Sequence, residues 1–347
     1  MNIVILGGGF CGATVAKELD AEKNIQVTLI DKNPFFEYNP SAHKCITQPS
    51  YQQNIRISFE NLLSNTNIIT ESVKRLFPTE VHTESKRIEF DYAVVCFGSM
   101  YPIFLSSTEQ VFTLSNVHEA KQLFKALKNT KKVLVVGGGY IGTEIASELA
   151  TKRPDLLITL VHSNDRMIER SPLFASSYAR NFLERRGVKF LFNEKVVDHP
   201  RENEFVTEKD RKIEADVCVW CAGMKTNASF LEGFSPSTID DFGRIKVKET
   251  LQLTEYPHIF AGGDLTAINE EKTARKAELH ARIISSNIKR LRQGKSLKKY
   301  RSKKSPMVIS LGDTHGIGQF GRISIPGIVP GIGKWLIEWW TIRQLKK

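Results

Sequence analysis

Five cysteines in 347 residues are too few and too scattered for a disulfide framework. They stand at 11, 45, 96, 218 and 221 in no secreted-type pattern, which fits a reducing compartment. No apolar run approaches the roughly 20 residues that a membrane-spanning helix needs. Strand character begins at Asn2, which leaves no room for a cleaved leader, so secretion is not expected. Collagen-like periods and low-complexity tracts are also missing, and no metal site is expected. What remains is 41% hydrophobic and 25% charged residues, ordinary for a globular protein. The length exceeds what one hydrophobic core usually serves, so two or three domains are expected.

Cys218 and Cys221 form a C-x-x-C inside "ADVCVWCAG", which reads as a strand. Side chains alternate along a strand, so the two thiols fall on opposite faces and read as core residues rather than a redox dithiol. The net charge of +11 is unevenly spread. "KRLRQGKSLKKYRSKK" at 289–304 holds nine basic residues and no acid. A solvated loop, an anionic membrane surface and nucleic acid are all compatible with such a stretch.

The sequence repeats itself. "IVILGGGFCG" carries glycines at 7, 9 and 12, and "KVLVVGGGYIG" carries them at 137, 139 and 142. Each G-x-G-x-x-G lies between an apolar strand and a helix, "ATVAKELD" or "TEIASELA", and a second strand follows, "QVTLID" or "LITLVH". A single such motif is weak, but two in strand–loop–helix–strand context predict two dinucleotide cradles on parallel, right-handed β-α-β units. The first unit closes on Asp31, the acid expected to bind a ribose hydroxyl. The second closes on His162 and Ser163 with Arg166 nearby. With that acid missing, tolerance of NADPH alongside NADH is expected. Two further strands, "FDYAVVCFGS" and "EADVCVWCAG", end in turns at Gly98 and Gly223. "YPHIFAGGDLTA" then places Asp264 after a glycine pair, where it can accept bonds from a sugar-alcohol chain.

These features resemble the two-dinucleotide flavoprotein oxidoreductases, in which one cradle holds FAD and the other NAD(P)H. Redox cysteine pairs of that family have no counterpart here. "DKNPFFEYNPSAHKCITQPS" has only Cys45, and "ALKNTKK" before the second motif has none. A disulfide substrate is therefore not expected. "LIDKNPFFEYNPSAHK", "GGGYIGTEIASEL", "VCVWCAGMKTN", "IFAGGD", "KTARKAELHARI" and "SLGDTHGIGQFG" are similar, in order and spacing, to another branch. That branch comprises type II NADH:quinone oxidoreductases and the apoptosis-inducing-factor-like ferroptosis suppressor flavoproteins.

The resemblance implies that Gly7, Gly9, Gly12, Asp31, Lys44 and Asp264 hold FAD. It implies that Gly137, Gly139, Gly142 and Glu144 hold the nicotinamide nucleotide, with Glu144 next to the chemistry. Phe10, Cys11, Lys32, Val73, Gly98, Gly263, Tyr140, Ile141, His162 and Gly223 complete the expected cofactor contacts. His280 falls where the family runs a helix past the flavin, and is the candidate proton donor to a reduced quinone.

After Arg322, Pro326 and Pro330 are expected to prevent regular structure until about Ile332. A helix would then carry Trp335, Leu336, Trp339, Trp340 and Ile342 on one face, and Lys334, Glu338, Thr341 and Gln344 on the other. Three tryptophans with Lys346 and Lys347 suit a membrane interface. Residue 2 is Asn, so the N-myristoylation of the suppressor branch is excluded. The expected fold is α/β, with two interleaved doubly wound domains. Residues 1–105 and 235–305 would bind FAD, 106–234 would bind NAD(P)H, and 306–347 would form an acceptor and membrane module.

The expected activity is NAD(P)H:quinone oxidoreduction on the cytoplasmic side of a membrane, with the tail and residues 289–304 against anionic lipid. No nucleic acid is expected as a partner, and a homodimer stays open. Two rivals are a reductase of a small iron protein and a nicotinamide-responsive binding protein.

Overall fold

Short runs of Val, Ile and Leu become strands buried on both faces, and the glycines between them become the turns into helices. The computed structural model describes residues 1–226 and 228–346. Asn227 of the "MKTN" motif and the terminal Lys347 lie outside the described residues.

The first unit contains β1 (Asn2–Leu6), α1 (Phe10–Leu19), β2 (Gln26–Asp31), β3 (Asn67–Thr70) and β4 (Tyr92–Val95). The second contains β5 (Val111–Phe112), β6 (Lys132–Val136), α2 (Tyr140–Lys152), β7 (Leu157–His162), α3 (Leu173–Glu184), β8 (Lys189–Phe192) and β9 (Val217–Trp220). The chain then returns to the first sheet with β10 (Ile259–Ala261) and packs α4 (Ala274–Arg292) along α1. An antiparallel meander follows, β11 (Met307–Leu311), β12 (His315–Phe320) and β13 (Ile323–Gly327), and α5 (Ile328–Lys346) ends the description.

Both large sheets are parallel throughout, in the orders β10-β4-β1-β2-β3 and β5-β9-β6-β7-β8. The glycine strands β1 and β6 take the centre, so the cradles open at the carboxyl ends of the strands, where ligands bind in such sheets. The outer strand next to β4 comes late in the chain, whereas its counterpart β5 precedes the second motif. That is the interleaving expected of a nucleotide domain inserted into another.

One apolar cluster joins the whole molecule. It includes Ile3 and Leu29 of the first sheet, Val133 and Leu160 of the second, and Leu311, Ile317 and Ile342 of the C-terminal module. Cys218 is buried in a separate cluster on the far face of the second sheet, while Cys221 packs against the shared one. The two thiols thus sit on opposite faces. Burial pushes Cys221 up to about 12 and raises Cys218 as well, which keeps both protonated and unreactive.

The C-terminal helix departs from expectation at its start. It begins at Ile328, not Ile332, because Pro330 falls in the first turn, where a missing N–H costs nothing. Pro326 sits on the edge strand β13, where no ladder bond is lost to a further neighbour. The helix docks by its charged face, and Ile342, expected beside the tryptophans, is buried with it. Lys334, Glu338 and Ile342 are buried, while Val329, Trp335, Leu336, Ile337, Trp339 and Trp340 are exposed. Lys17 of α1 donates to the last carbonyls, those of Gln344 (2.9 Å) and Leu345.

Candidate active site

Each cradle starts from a glycine held at positive φ, Gly7 at +95° and Gly137 at +106°. A Cβ at Gly12 would lie 1.8 Å from the Gly7 carbonyl oxygen, and one at Gly142 1.9 Å from that of Gly137. The third glycine of each motif is therefore demanded by the protein's own backbone. The middle glycines differ, because a Cβ at Gly9 or Gly139 would meet nothing within 4 Å. Nothing in the fold fills the space there, and both positions line the cavity described below. Gly9 and Gly139 also cap α1 and α2 with no side chain, and neither helix has an acid in its first turn. The leading N–H groups of both helices are thus left for an anion such as a pyrophosphate.

Asp31 accepts hydrogen bonds from the Gly8 N–H (2.7 Å) and the Asn33 N–H (2.8 Å). His162 does the same work in the second cradle, with Nδ1 accepting from the Gly138 N–H at 3.1 Å. Both cradles open on one cavity of about 3350 Å³, several times what a single small ligand fills. Phe10, Cys11, Lys32, Val73, Gly98, Gly223 and Asp264 line it, as do Tyr140, Ile141, Glu144 and His162. A Cβ at Gly98 or Gly223 also meets nothing, which leaves two more open faces beside the cradles. Asp264 accepts from the Ser99 hydroxyl at 3.1 Å, and burial raises its pKa against that bond.

Two expected site residues are engaged within the protein. Lys44 does not line the cavity; it donates to the Tyr51 hydroxyl (2.8 Å) and lies 3.7 Å from Glu338. His280 is buried, accepts from the Gly263 N–H at 3.0 Å through Nδ1, and has Nε2 2.9 Å from Glu270 Oε1. Nδ1 thus holds the turn that carries Asp264, while Nε2 faces the Glu270 carboxylate, so the position gives it a positioning role.

Glu144, the fifth residue of α2, is the centre of a buried polar group. It accepts from Ser310 N–H (2.9 Å) and Ser310 Oγ (3.0 Å) on β11, and from Lys334 Nζ on α5. Burial opposes its ionisation, but Lys334 and His43 outweigh that and hold its pKa below the ordinary value. His43 Nε2 lies 3.2 Å from Ser310 Oγ. Burial, opposed by Glu144, pushes His43 down to about 3, so it stays neutral. Glu338 is held beside this group by the Tyr51 hydroxyl (2.5 Å) and the Ser41 hydroxyl.

Sequence reading missed His43, Ser310 and Lys334. The available signal was Lys334 and Glu338, four apart and alone in charge between Ile328 and Ile342. Charges at that spacing on so apolar a helix share one face and need partners if that face is buried.

The pyridine nucleotide-disulphide oxidoreductase family model matches residues 1–281. An apoptosis-inducing factor homolog B of Dictyostelium discoideum is 29% identical over 92% of this chain and 89% of its own. Ferroptosis suppressor protein 1 of Taeniopygia guttata is 28% identical over 96% and 92%. Among solved structures, the sulfide:quinone oxidoreductase of Aquifex aeolicus matches with a TM-score of 0.87, 18% identity and 99% and 91% coverage. NDH2 of Plasmodium falciparum in complex with NADH matches with a TM-score of 0.87, 14% identity and 98% and 94% coverage. The chain belongs to the pyridine nucleotide-disulphide oxidoreductase family, whose members are flavoproteins working with FAD and NAD(P)H.

Proposed function

We propose that this protein is an NAD(P)H:quinone oxidoreductase with FAD in the β1–α1 cradle and the nicotinamide nucleotide in the β6–α2 cradle. The observation that carries this reading is the continuity of the two cradles in one cavity. The residues around the first cradle fit FAD: free helix N–H groups for a pyrophosphate, Asp31 for a ribose, and Asp264 for a polyol. When bound, the flavin supplies two-electron acceptance and donation that no side chain can perform.

The net reaction consumes NAD(P)H, one proton and a quinone, and yields NAD(P)⁺ and a quinol. The proton must come through the protein. Lys334, Ser310 and His43 form a hydrogen-bonded series beside the cavity, with Lys334 Nζ 3.1 Å from Ser310 Oγ. In this reading Lys334 delivers the proton, and Glu144 fixes the ammonium in place. His43, neutral at physiological pH, hydrogen-bonds to Ser310 Oγ and closes the series. Disulfide chemistry has no support, since Cys45 is buried and its thiol is pushed up to about 11 by that burial.

The outward face of α5 supports a lipophilic acceptor. No helix among the described residues is long and apolar enough to cross a membrane. Yet the outward face of α5 presents Val329 at 78% exposure and Trp340 at 58%, beside Ile323 and Ile325 of β13. Tryptophan with aliphatic residues and a nearby Arg343 suits the headgroup boundary of a bilayer, where lipophilic quinones are reached. Residues 289–304 contribute less charge than their composition suggests. Lys289 pairs with Glu22 (2.9 Å) and Lys299 with Glu249 (2.8 Å).

Rapid mixing of the purified flavoprotein with NADH, then with a short-chain ubiquinone analogue, should bleach and then restore the flavin band at steady turnover. Bleaching without quinone turnover would move the assignment to an iron-protein acceptor or to a binding protein. The triple variant Trp335→Ser, Trp339→Ser, Trp340→Ser should keep turnover with the soluble analogue. It should lose flotation with vesicles of phosphatidylcholine and phosphatidylserine; flotation equal to wild type would reject α5 as the membrane contact.

A further inference from the structure

His162 stands where the first cradle has Asp31, and its ring is fully specified by its neighbours. The Gly138 amide can only donate, so Nδ1 is the acceptor and the ring proton sits on Nε2. Nε2 lies 3.1 Å from Glu169 Oε2 and donates to it. A carboxylate is therefore present at the end of β7 after all. It arrives from the following loop, seven residues later, and is fixed by the histidine that took its usual position.

The loop is built to present that carboxylate. Ile168 is held at φ +42°, a left-handed conformation that costs a β-branched residue about 1–3 kcal/mol. Its N–H donates to the Gly138 carbonyl at 2.7 Å, so the middle of the glycine loop is clamped through both its amide and its carbonyl. Arg166, noted near the strand end, donates to the backbone carbonyls of Glu169 and Ser171, the latter at 3.1 Å. Arg170 pairs with Glu271 at 2.9 Å and lies over the Tyr140 ring. Lys195 lines the same wall and has Glu208 at 3.9 Å. Both His162 and Glu169 face the cavity. The bond to His162 uses Oε2, and Oε1 is not needed for it.

We propose that Glu169, oriented by His162, accepts the adenosine ribose hydroxyls of the nucleotide and makes the second cradle select NADH over NADPH. The inference rests on reading the β6–α2 cradle as the nicotinamide nucleotide site, and it replaces the NADPH tolerance expected from the missing strand-end acid. A ribose hydroxyl donates to a carboxylate, whereas a 2′-phosphate brings like charge against it.

Calorimetric titration of the FAD-loaded protein with ADP-ribose and with 2′-phospho-ADP-ribose tests this without turnover, since neither fragment carries nicotinamide. Wild type should bind ADP-ribose about tenfold tighter or more, and the absence of that preference rejects the proposal even if a variant misfolds. Glu169→Gln keeps the shape and the bond from His162 but removes the charge. It should tighten 2′-phospho-ADP-ribose about fivefold and change ADP-ribose by less than about threefold. Equal affinities in wild type, or a ratio unmoved in Glu169→Gln, would overturn the proposal. If neither fragment binds, the nucleotide-site reading beneath it falls as well.

Discussion

Lys334→Met will destabilise the protein by about 3–5 kcal/mol at pH 7, because it strands the Glu144 carboxylate in a buried site without its cation. The native pair shows why. Glu144 holds its charge only because Lys334 and His43 outweigh the penalty of burial. A carboxyl whose folded pKa is depressed adds stability above its unfolded value, here the ordinary 4.5, and loses it as pH falls through the lower folded value. Wild type should therefore keep this contribution at pH 5 and lose it only in stronger acid. In Lys334→Met the sign inverts: burial raises the Glu144 pKa, and lowering the pH toward 5 restores stability by neutralising it. Urea unfolding at pH 7 and pH 5 measures both slopes. The double variant with Glu144→Gln should lose less than the sum of the single losses. Wild-type stability of Lys334→Met at pH 7 would show that the pair contributes nothing.

Gly142→Ala and Gly139→Ala, three residues apart in one motif, will fail in different ways. The added methyl at 142 meets the Gly137 carbonyl at 1.9 Å, backbone that cannot move without breaking the turn, and should cost about 3 kcal/mol or more. At 139 the methyl meets no atom within 4 Å, and the backbone, at φ −70°, suits alanine. That variant should fold within about 1 kcal/mol of wild type, the usual scale of a helix-cap change. Its affinity for NADH should nonetheless fall about tenfold or more, since the methyl takes the space where pyrophosphate approaches the helix. Thermal melting separates the first effect and NADH titration the second. If Gly139→Ala binds NADH like wild type, the second cradle is not where the nucleotide lies. Gly12→Ala and Gly9→Ala should repeat the contrast in stability and FAD retention.

What could be read from the sequence was what repeats locally. Glycines three and five apart, between a strand and a helix, define a cradle because every contact that matters lies within the motif. Asp31 and Asp264 were singled out for the same reason, at or just past the end of an apolar strand, and both line the cavity. The central polar group was not legible. Glu144, Ser310, Lys334 and His43 come from four elements far apart in the chain, and only packing brings them together. The outward tryptophan face of the C-terminal helix was legible from its pattern, but the partners of its charged stripe were not. Glu144, Ser41 and Tyr51 meet that stripe inside the protein. His280 shows a related limit: its helix position was legible, but its commitment to Gly263 and Glu270 was not.

The apolar cluster running through both nucleotide units and the C-terminal module has a mechanical consequence. Ile3, Val133 and Ile342 belong to one contiguous core, so no greasy seam divides the molecule into halves that could swing apart. Such a body should melt in a single transition. The spacing between its two cradles is then set at folding, and turnover would not wait on a hinge. Ligands would then exchange through the cavity mouth without the two units parting.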